Sequence, residues 1–295
     1  MPTKPLWRLL LTMGSRTTGW GWTLLTLERY DEAEQPLRAA VRLEPKEANW
    51  HYDLGLALQQ LGKTTEAREQ IEACIKLKPS HPEARYCLGL AYQNEKRLDE
   101  AVVEYLQAIN LQPDYFYAHY NLALVYEELQ RNNDALDSYR KAVSLDPNDS
   151  IALGNLGRML AKTGSNEDAI PILKRVIELI PTDANVRVCL GWALLQTGRF
   201  RDAIQSYESA LELTPEFMAA YCNLSLCHWN LHEYEEAIEV LRRALAIEPE
   251  SGEAYGVLGL VLDGQGKRDD ARVAYERALE LNPEIPETWH NLGRI

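Results

Sequence analysis

Residues 116–149 read "FYAHYNLALVYEELQRNNDALDSYRKAVSLDPND", and this stretch holds two helical patterns with a break between them. In the first half Leu122, Ala123 and Tyr126 fall at helical spacing. In the second half Ala135 and Ala142 mark another helix, and Pro147 ends it because proline cannot continue one. The stretch then recurs. Pro45, Pro79, Pro113, Pro147, Pro181, Pro215, Pro249 and Pro283 are each 34 residues apart. Leu54, Leu88, Leu122, Leu156, Leu190, Leu224, Leu258 and Leu292 keep the same period, each followed by glycine, alanine or serine. Ala33, Ala67, Ala101, Ala135, Ala169, Ala203, Ala237 and Ala271 form a third series in phase with both.

Each unit therefore predicts a helix, a turn and a second helix. Gly62, Gly164, Gly198 and Gly266 fall in the turn, where glycine accepts positive φ at a helix end. Acidic residues open the second helix, as in Asp99-Glu100-Ala101, and favour its dipole. The small residue after each leucine lets the helices approach, as do Ala40, Ala108, Ala142, Ala210, Ala244 and Ala278, with Cys74 and Val176 as larger variants. One such hairpin cannot bury its apolar face alone, whereas stacked neighbours bury it continuously. The pattern predicts an all-α solenoid of antiparallel helix pairs, one array rather than two globules.

At these residues the sequence resembles the tetratricopeptide repeat family. Eight units fit, at 14–47, 48–81, 82–115, 116–149, 150–183, 184–217, 218–251 and 252–285. Residues 1–13 are left as an atypical N-terminal segment, and 286–295 as the first helix of a further partial repeat. The resemblance implies a right-handed superhelix with the first helix of each unit on its concave side. The first unit departs from the pattern: Trp20 takes the leucine place, Glu28 the turn glycine, and Pro36 falls inside the second helix.

Composition narrows the function. The net charge is −13 and the lysines and arginines are scattered, which argues against a phosphate-binding face for nucleic acid and against contact with anionic membranes. Five cysteines, an odd number with no Cys-x-x-Cys pair, suit a reducing compartment, and a cytoplasmic location is expected. Near the start Arg8 splits the apolar run that a secretory signal needs, and no stretch has the length of a membrane span. Gly62-Lys63-Thr64 imitates the tail of a phosphate loop, but Ala57 stands where that motif needs glycine. His228 and His232 are four apart beside Cys227, yet no further ligand cluster completes a metal site, and His228 takes a packing position. No nucleophile motif or paired carboxylate emerges. No catalytic residue, metal or cofactor is expected, and the chain reads as a non-enzymatic protein.

The resemblance directs attention to the inner face. There it places Tyr117, Tyr120, Asn121 and Leu124, while Tyr126 belongs to the core and Tyr115 to the link between units. The same tyrosine–leucine pair occurs as Tyr52 and Leu56, and as Tyr86 and Leu90. Asn121, Asn155, Asn223 and Asn291 hold equivalent inner sites, interrupted by Asp53, Cys87, Cys189 and Val257. In the superhelix of O-linked N-acetylglucosamine transferase such an asparagine ladder holds a peptide backbone; here it is incomplete. Arg158 and Lys162 form the inner basic pair beside Asn155. No three successive units offer the lysine, asparagine and arginine set with which chaperone adaptors of the family clamp a terminal carboxylate. The expected function is a protein-interaction scaffold whose groove binds peptide segments or partner proteins through Tyr52, Leu56, Tyr86, Leu90, Tyr117, Tyr120, Asn121, Leu124, Asn155 and Arg158. Two other readings fit the same sequence: the repeat arm of a larger enzyme, such as a glycosyltransferase of that kind, or an envelope-assembly adaptor. Trp289 and Leu292 occupy slots that normally meet a following helix, so the chain is expected either to continue or to self-associate at that end.

Overall fold

The computed structural model describes residues 16–295, with side chains from Gly21 onward. The segment 1–13 and the side chain of Trp20 lie outside the described residues. Among the described residues there are seventeen helices and no strand. In chain order they are α1 (Arg16–Thr26), α2 (Tyr30–Leu43), α3 (Ala48–Gln60), α4 (Thr64–Leu77), α5 (Pro82–Asn94), α6 (Leu98–Leu111), α7 (Phe116–Glu128), α8 (Asn132–Leu145), α9 (Ser150–Lys162), α10 (Asn166–Leu179), α11 (Ala184–Gln196), α12 (Phe200–Leu213), α13 (Met218–Asn230), α14 (Tyr234–Ile247), α15 (Gly252–Gly264), α16 (Arg268–Leu281) and α17 (Pro286–Leu292). None is long and apolar enough to cross a membrane. The chain forms two compact units, one ending at Asp146 and one spanning Pro147–Ile295.

Within each unit, consecutive helices pack as hairpins, each second helix packs on the first helix of the next pair, and neighbouring first helices also touch. The close approach inside a hairpin is set by the small residue after each leucine. A Cβ on Gly89 would lie 2.7 Å from the Tyr105 ring, and one on Gly259 would lie 2.5 Å from the Tyr275 ring. Tyr105, Tyr139, Tyr207 and Tyr275 are fully buried second-helix residues that fill this space in phase. The Tyr105 hydroxyl donates to Gln93 at 2.7 Å and that of Tyr139 to Glu127 at 3.2 Å, both on the first helix of the same pair.

The turns share one backbone solution. Gly62, Gly164, Gly198 and Gly266 have φ of 73°, 84°, 75° and 84°. The remaining positions in phase, Glu28, Lys96, Gln130 and His232, are also left-handed, at 56°, 60°, 58° and 61°. The fold thus demands this conformation at all eight turns, whether or not glycine is there to adopt it without strain. The N–H of Lys63 bonds the Leu58 carbonyl at 2.9 Å across the first of these glycine turns, closing the helix end. Pro36 does not end α2, which runs through it to Leu43 with the ring buried; Pro171 also lies inside its helix, α10, but is exposed.

Candidate functional site

First helices commonly begin with a capping side chain. Glu47, His81, Asp149, Asp183 and Ser251 each accept a backbone N–H of the helix they precede. Tyr115 occupies this position before α7 and makes no side-chain cap. A cap is typically worth about 1 kcal/mol, and here its place is taken by an aromatic ring. That ring lies 5.1 Å from Tyr86, whose own ring is 5.8 Å from Tyr105 and 6.5 Å from Tyr117. Phe116 meets Tyr117 edge-on at 5.3 Å and stacks parallel to Tyr120 at 6.1 Å. Tyr120 in turn leans on the buried Tyr139 at 6.1 Å. Such pairs add roughly 0.5–1.5 kcal/mol each beyond their burial. The result is a continuous aromatic face on the first unit, anchored in the core by Tyr105 and Tyr139 and ending at Tyr117, which is 59% exposed.

Asn121 is built into this face. Its Nδ2 donates to the Tyr86 hydroxyl at 3.0 Å and to the Tyr117 carbonyl at 2.9 Å. Both of its amide hydrogens therefore have acceptors inside the protein. Burial pushes the Tyr86 phenol up to about 12, and the phenols of Tyr52 and Tyr115 are also raised by burial. All three stay neutral near neutral pH and act as polar tips on apolar rings.

The other inner-face residues divide between packing and exposure. Tyr52 is half-buried, 4.7 Å from the His81 ring and beside the Cys87 thiol. It packs with Leu56 and Tyr86 against the core formed by Ile71, Cys74, Cys87 and Leu88. Leu90 and Leu124 are half-buried as well. Tyr126 is buried, with the Arg131 guanidinium 4.4 Å above its ring, as Arg97 stands 4.3 Å over Tyr92. Asn155 and Arg158 belong to the second unit, where the guanidinium donates to the Asn155 oxygen at 3.4 Å. They line a groove of about 280 Å³ together with Ile151, Gly154 and Cys189. Trp289 is 56% exposed, its indole N–H held by the Pro283 carbonyl at 2.9 Å.

The motifs set aside on sequence have structural partners of their own. Lys63 binds Glu34 at 2.8 Å, His228 meets Glu233 at 2.8 Å, and His232 meets the Tyr234 hydroxyl at 3.0 Å. Among the described residues no cluster of three His, Cys, Asp or Glu side chains is arranged to hold a metal. Sequence reasoning left Tyr115 and Phe116 out of the site. An aromatic residue at a position that in five other units carries a helix cap is a signal that points to Tyr115, though Phe217 before α13 shares it.

Helix pairs of fixed length, joined by left-handed turns and presenting their first helices to one another, define a helical repeat protein. The chain belongs to the tetratricopeptide repeat family. Models described as tetratricopeptide repeat match residues 18–67, 116–149, 148–216, 190–252 and 252–285, and one described as TPR repeat matches 94–130. No curated protein matches the sequence. Solved structures similar to it include MamA, 28% identical over 57% of this chain and 92% of that one, with a TM-score of 0.52. YrrB, a TPR protein with an unusual peptide-binding site, is 22% identical over 62% of this chain and 95% of its own, with a TM-score of 0.59. The C-terminal part of a TPR repeat-containing protein from Cytophaga hutchinsonii is 17% identical, covers 82% of this chain and 99% of its own, and has a TM-score of 0.63.

Proposed function

We propose that the chain is a non-enzymatic scaffold for protein–protein interaction, and that the aromatic face of its first unit seats an extended, partly apolar peptide segment of a partner. The observation that carries this reading is Tyr117, an exposed ring on a platform whose other rings are held by Tyr105, Tyr139 and Asn121. Rigid aromatic side chains give large contact area for little lost entropy, and their hydroxyls add hydrogen bonds at the rim. Neighbouring Tyr52, Leu56, Leu90 and Leu124 extend the apolar surface along α3, α5 and α7. The five free cysteines support a reducing compartment such as the cytoplasm.

Selection of peptides from a phage-displayed library on the purified chain tests the reading. Selected peptides should share apolar or aromatic side chains, and Tyr117→Ala and Tyr120→Ala should each weaken them tenfold or more, about 1.4 kcal/mol. Val103→Ala, at an exposed site on α6, should leave their affinity unchanged. If both tyrosine variants bind the selected peptides as the parent does, the aromatic face is not the binding site.

A further inference from the structure

Tyr52, Tyr86 and Tyr120 follow one another at intervals of 34, and the next residue in phase is Gly154. The leucines paired with them, Leu56, Leu90 and Leu124, are followed in phase by Arg158. Repeat five thus exchanges a tyrosine–leucine pair for glycine and arginine. In the first unit the ring at this position leans on a second-helix tyrosine, Tyr86 on Tyr105 and Tyr120 on Tyr139. The residue in phase with Tyr105 and Tyr139 is Leu173, which lines the groove in the second unit. A Cβ built on Gly154 meets no atom within 4 Å. The groove of about 280 Å³ opens where a tyrosine ring would otherwise stand.

Its chemistry is two-sided. Leu173 and Val176, both fully buried, supply an apolar floor, and Ile151, 64% exposed, forms part of the rim. An apolar cavity of about 150 Å³ is enough to bind benzene. Arg158 and Asn155 form a polar edge, and Asp183 also borders the groove while its Oδ1 caps α11 by accepting the Val186 N–H at 3.2 Å. A guanidinium presents a planar fork suited to a carboxylate. We propose that this groove captures the side chain of a tyrosine in a bound peptide, with a neighbouring carboxylate of the same peptide at Arg158. The inference rests on the reading that the chain holds peptide segments, and it supplies the sequence preference of one subsite: an aromatic residue beside an acidic one.

The test is an NMR titration of the full chain with the capped dipeptide acetyl-Tyr-Glu-amide. Expected are saturable shifts at the Gly154 amide and contacts from the phenol ring to the methyls of Leu173 and Val176. Acetyl-Ala-Glu-amide should not produce them. Gly154→Tyr places the protein's own ring in the space, as in repeats two to four; it should melt no lower than the parent and bind the dipeptide at least tenfold more weakly. Arg158→Gln should reduce affinity for acetyl-Tyr-Glu-amide to that for acetyl-Tyr-Gln-amide. The proposal is overturned if no saturable shift occurs at the dipeptide's solubility limit, if the alanine dipeptide binds as well, or if folded Gly154→Tyr binds normally. Should Gly154→Tyr fail to fold, the ring-to-methyl contacts decide the matter alone. Loss of library-selected peptides in Tyr117→Ala with unchanged dipeptide behaviour in Gly154→Tyr would sink this subsite and leave the scaffold reading standing. Indifference of all these variants would sink both.

Discussion

The Asn121 amide donates to the Tyr86 hydroxyl at 3.0 Å, joining α7 to α5 across 35 residues of sequence. The bond fixes a half-buried ring at the centre of the aromatic face. Tyr86→Phe and Asn121→Leu should each cost roughly 0.5–1.5 kcal/mol, the usual net worth of one hydrogen bond. The double variant should cost less than the two single costs added together, because the partners share one interaction. Urea unfolding of the four proteins measures this; strict additivity would show that the bond does not couple the two helices.

Glu28, Lys96, Gln130 and His232 hold left-handed backbone where the other four turns use glycine. Left-handed backbone costs a residue with a side chain roughly 1 kcal/mol relative to glycine. Lys96→Gly and Gln130→Gly should therefore each raise stability by about that much, with Gly62→Ala lowering it by a similar amount. Thermal melting of the three variants checks the sign. A destabilised Gln130→Gly would mean that its side chain contributes more than the backbone strain removes.

The helix pairs and turns were legible because one period fixes them: once Pro147 and Leu122 are seen in phase with their counterparts, every boundary follows within a residue or two. Even the strained turns at Lys96 and Gln130 lie in that phase, although their residue types conceal it. The site was less legible. The repeat phase puts Tyr126 in the core slot shared with Tyr92 and the family resemblance puts Tyr117 on the inner face, but neither can show that Tyr115, in the link, folds back onto Tyr86. That contact depends on the angle at which α7 leaves the turn. Nor does phase reveal that the hydrogens of Asn121 are already engaged, or that Tyr86 packs on Tyr105. For this reason Tyr86→Ala mixes a folding effect with a binding effect, and Tyr117 is the cleaner probe.

Tyr126 and Tyr117 lie on one helix and should separate stability from binding. Tyr126 is 7% exposed beneath Arg131, so Tyr126→Ala should lower unfolding free energy. The expected loss is roughly 3–5 kcal/mol, typical of deleting a large buried aromatic. Tyr117→Ala removes a largely exposed ring with two ring contacts, to Phe116 and Tyr86, and should cost no more than about 1–2 kcal/mol, well below the loss in Tyr126→Ala. Chemical denaturation of both variants is the measurement, and equal losses would contradict the burial described above.

Asp53 stands where Asn121, Asn155, Asn223 and Asn291 stand in other units, and it is 9% exposed. Burial raises its carboxyl pKa to about 6. The unfolded chain holds this proton with the ordinary carboxylate pKa, near 3.9. Between those two values the folded protein binds more protons than the unfolded chain, so stability falls as pH rises. Below the ordinary value both states are protonated and the residue costs nothing. Above about 6 the folded state must bury a carboxylate, at a cost of roughly 2–3 kcal/mol for a shift of this size. Asp53→Asn removes the charge with little change of shape. It should unfold at higher urea than the parent near neutral pH, with the difference shrinking to nothing as pH drops toward about 4. Urea midpoints of both proteins across this range test the claim. A gap that stays constant with pH would show that the carboxyl does not titrate abnormally and that any gain comes from packing.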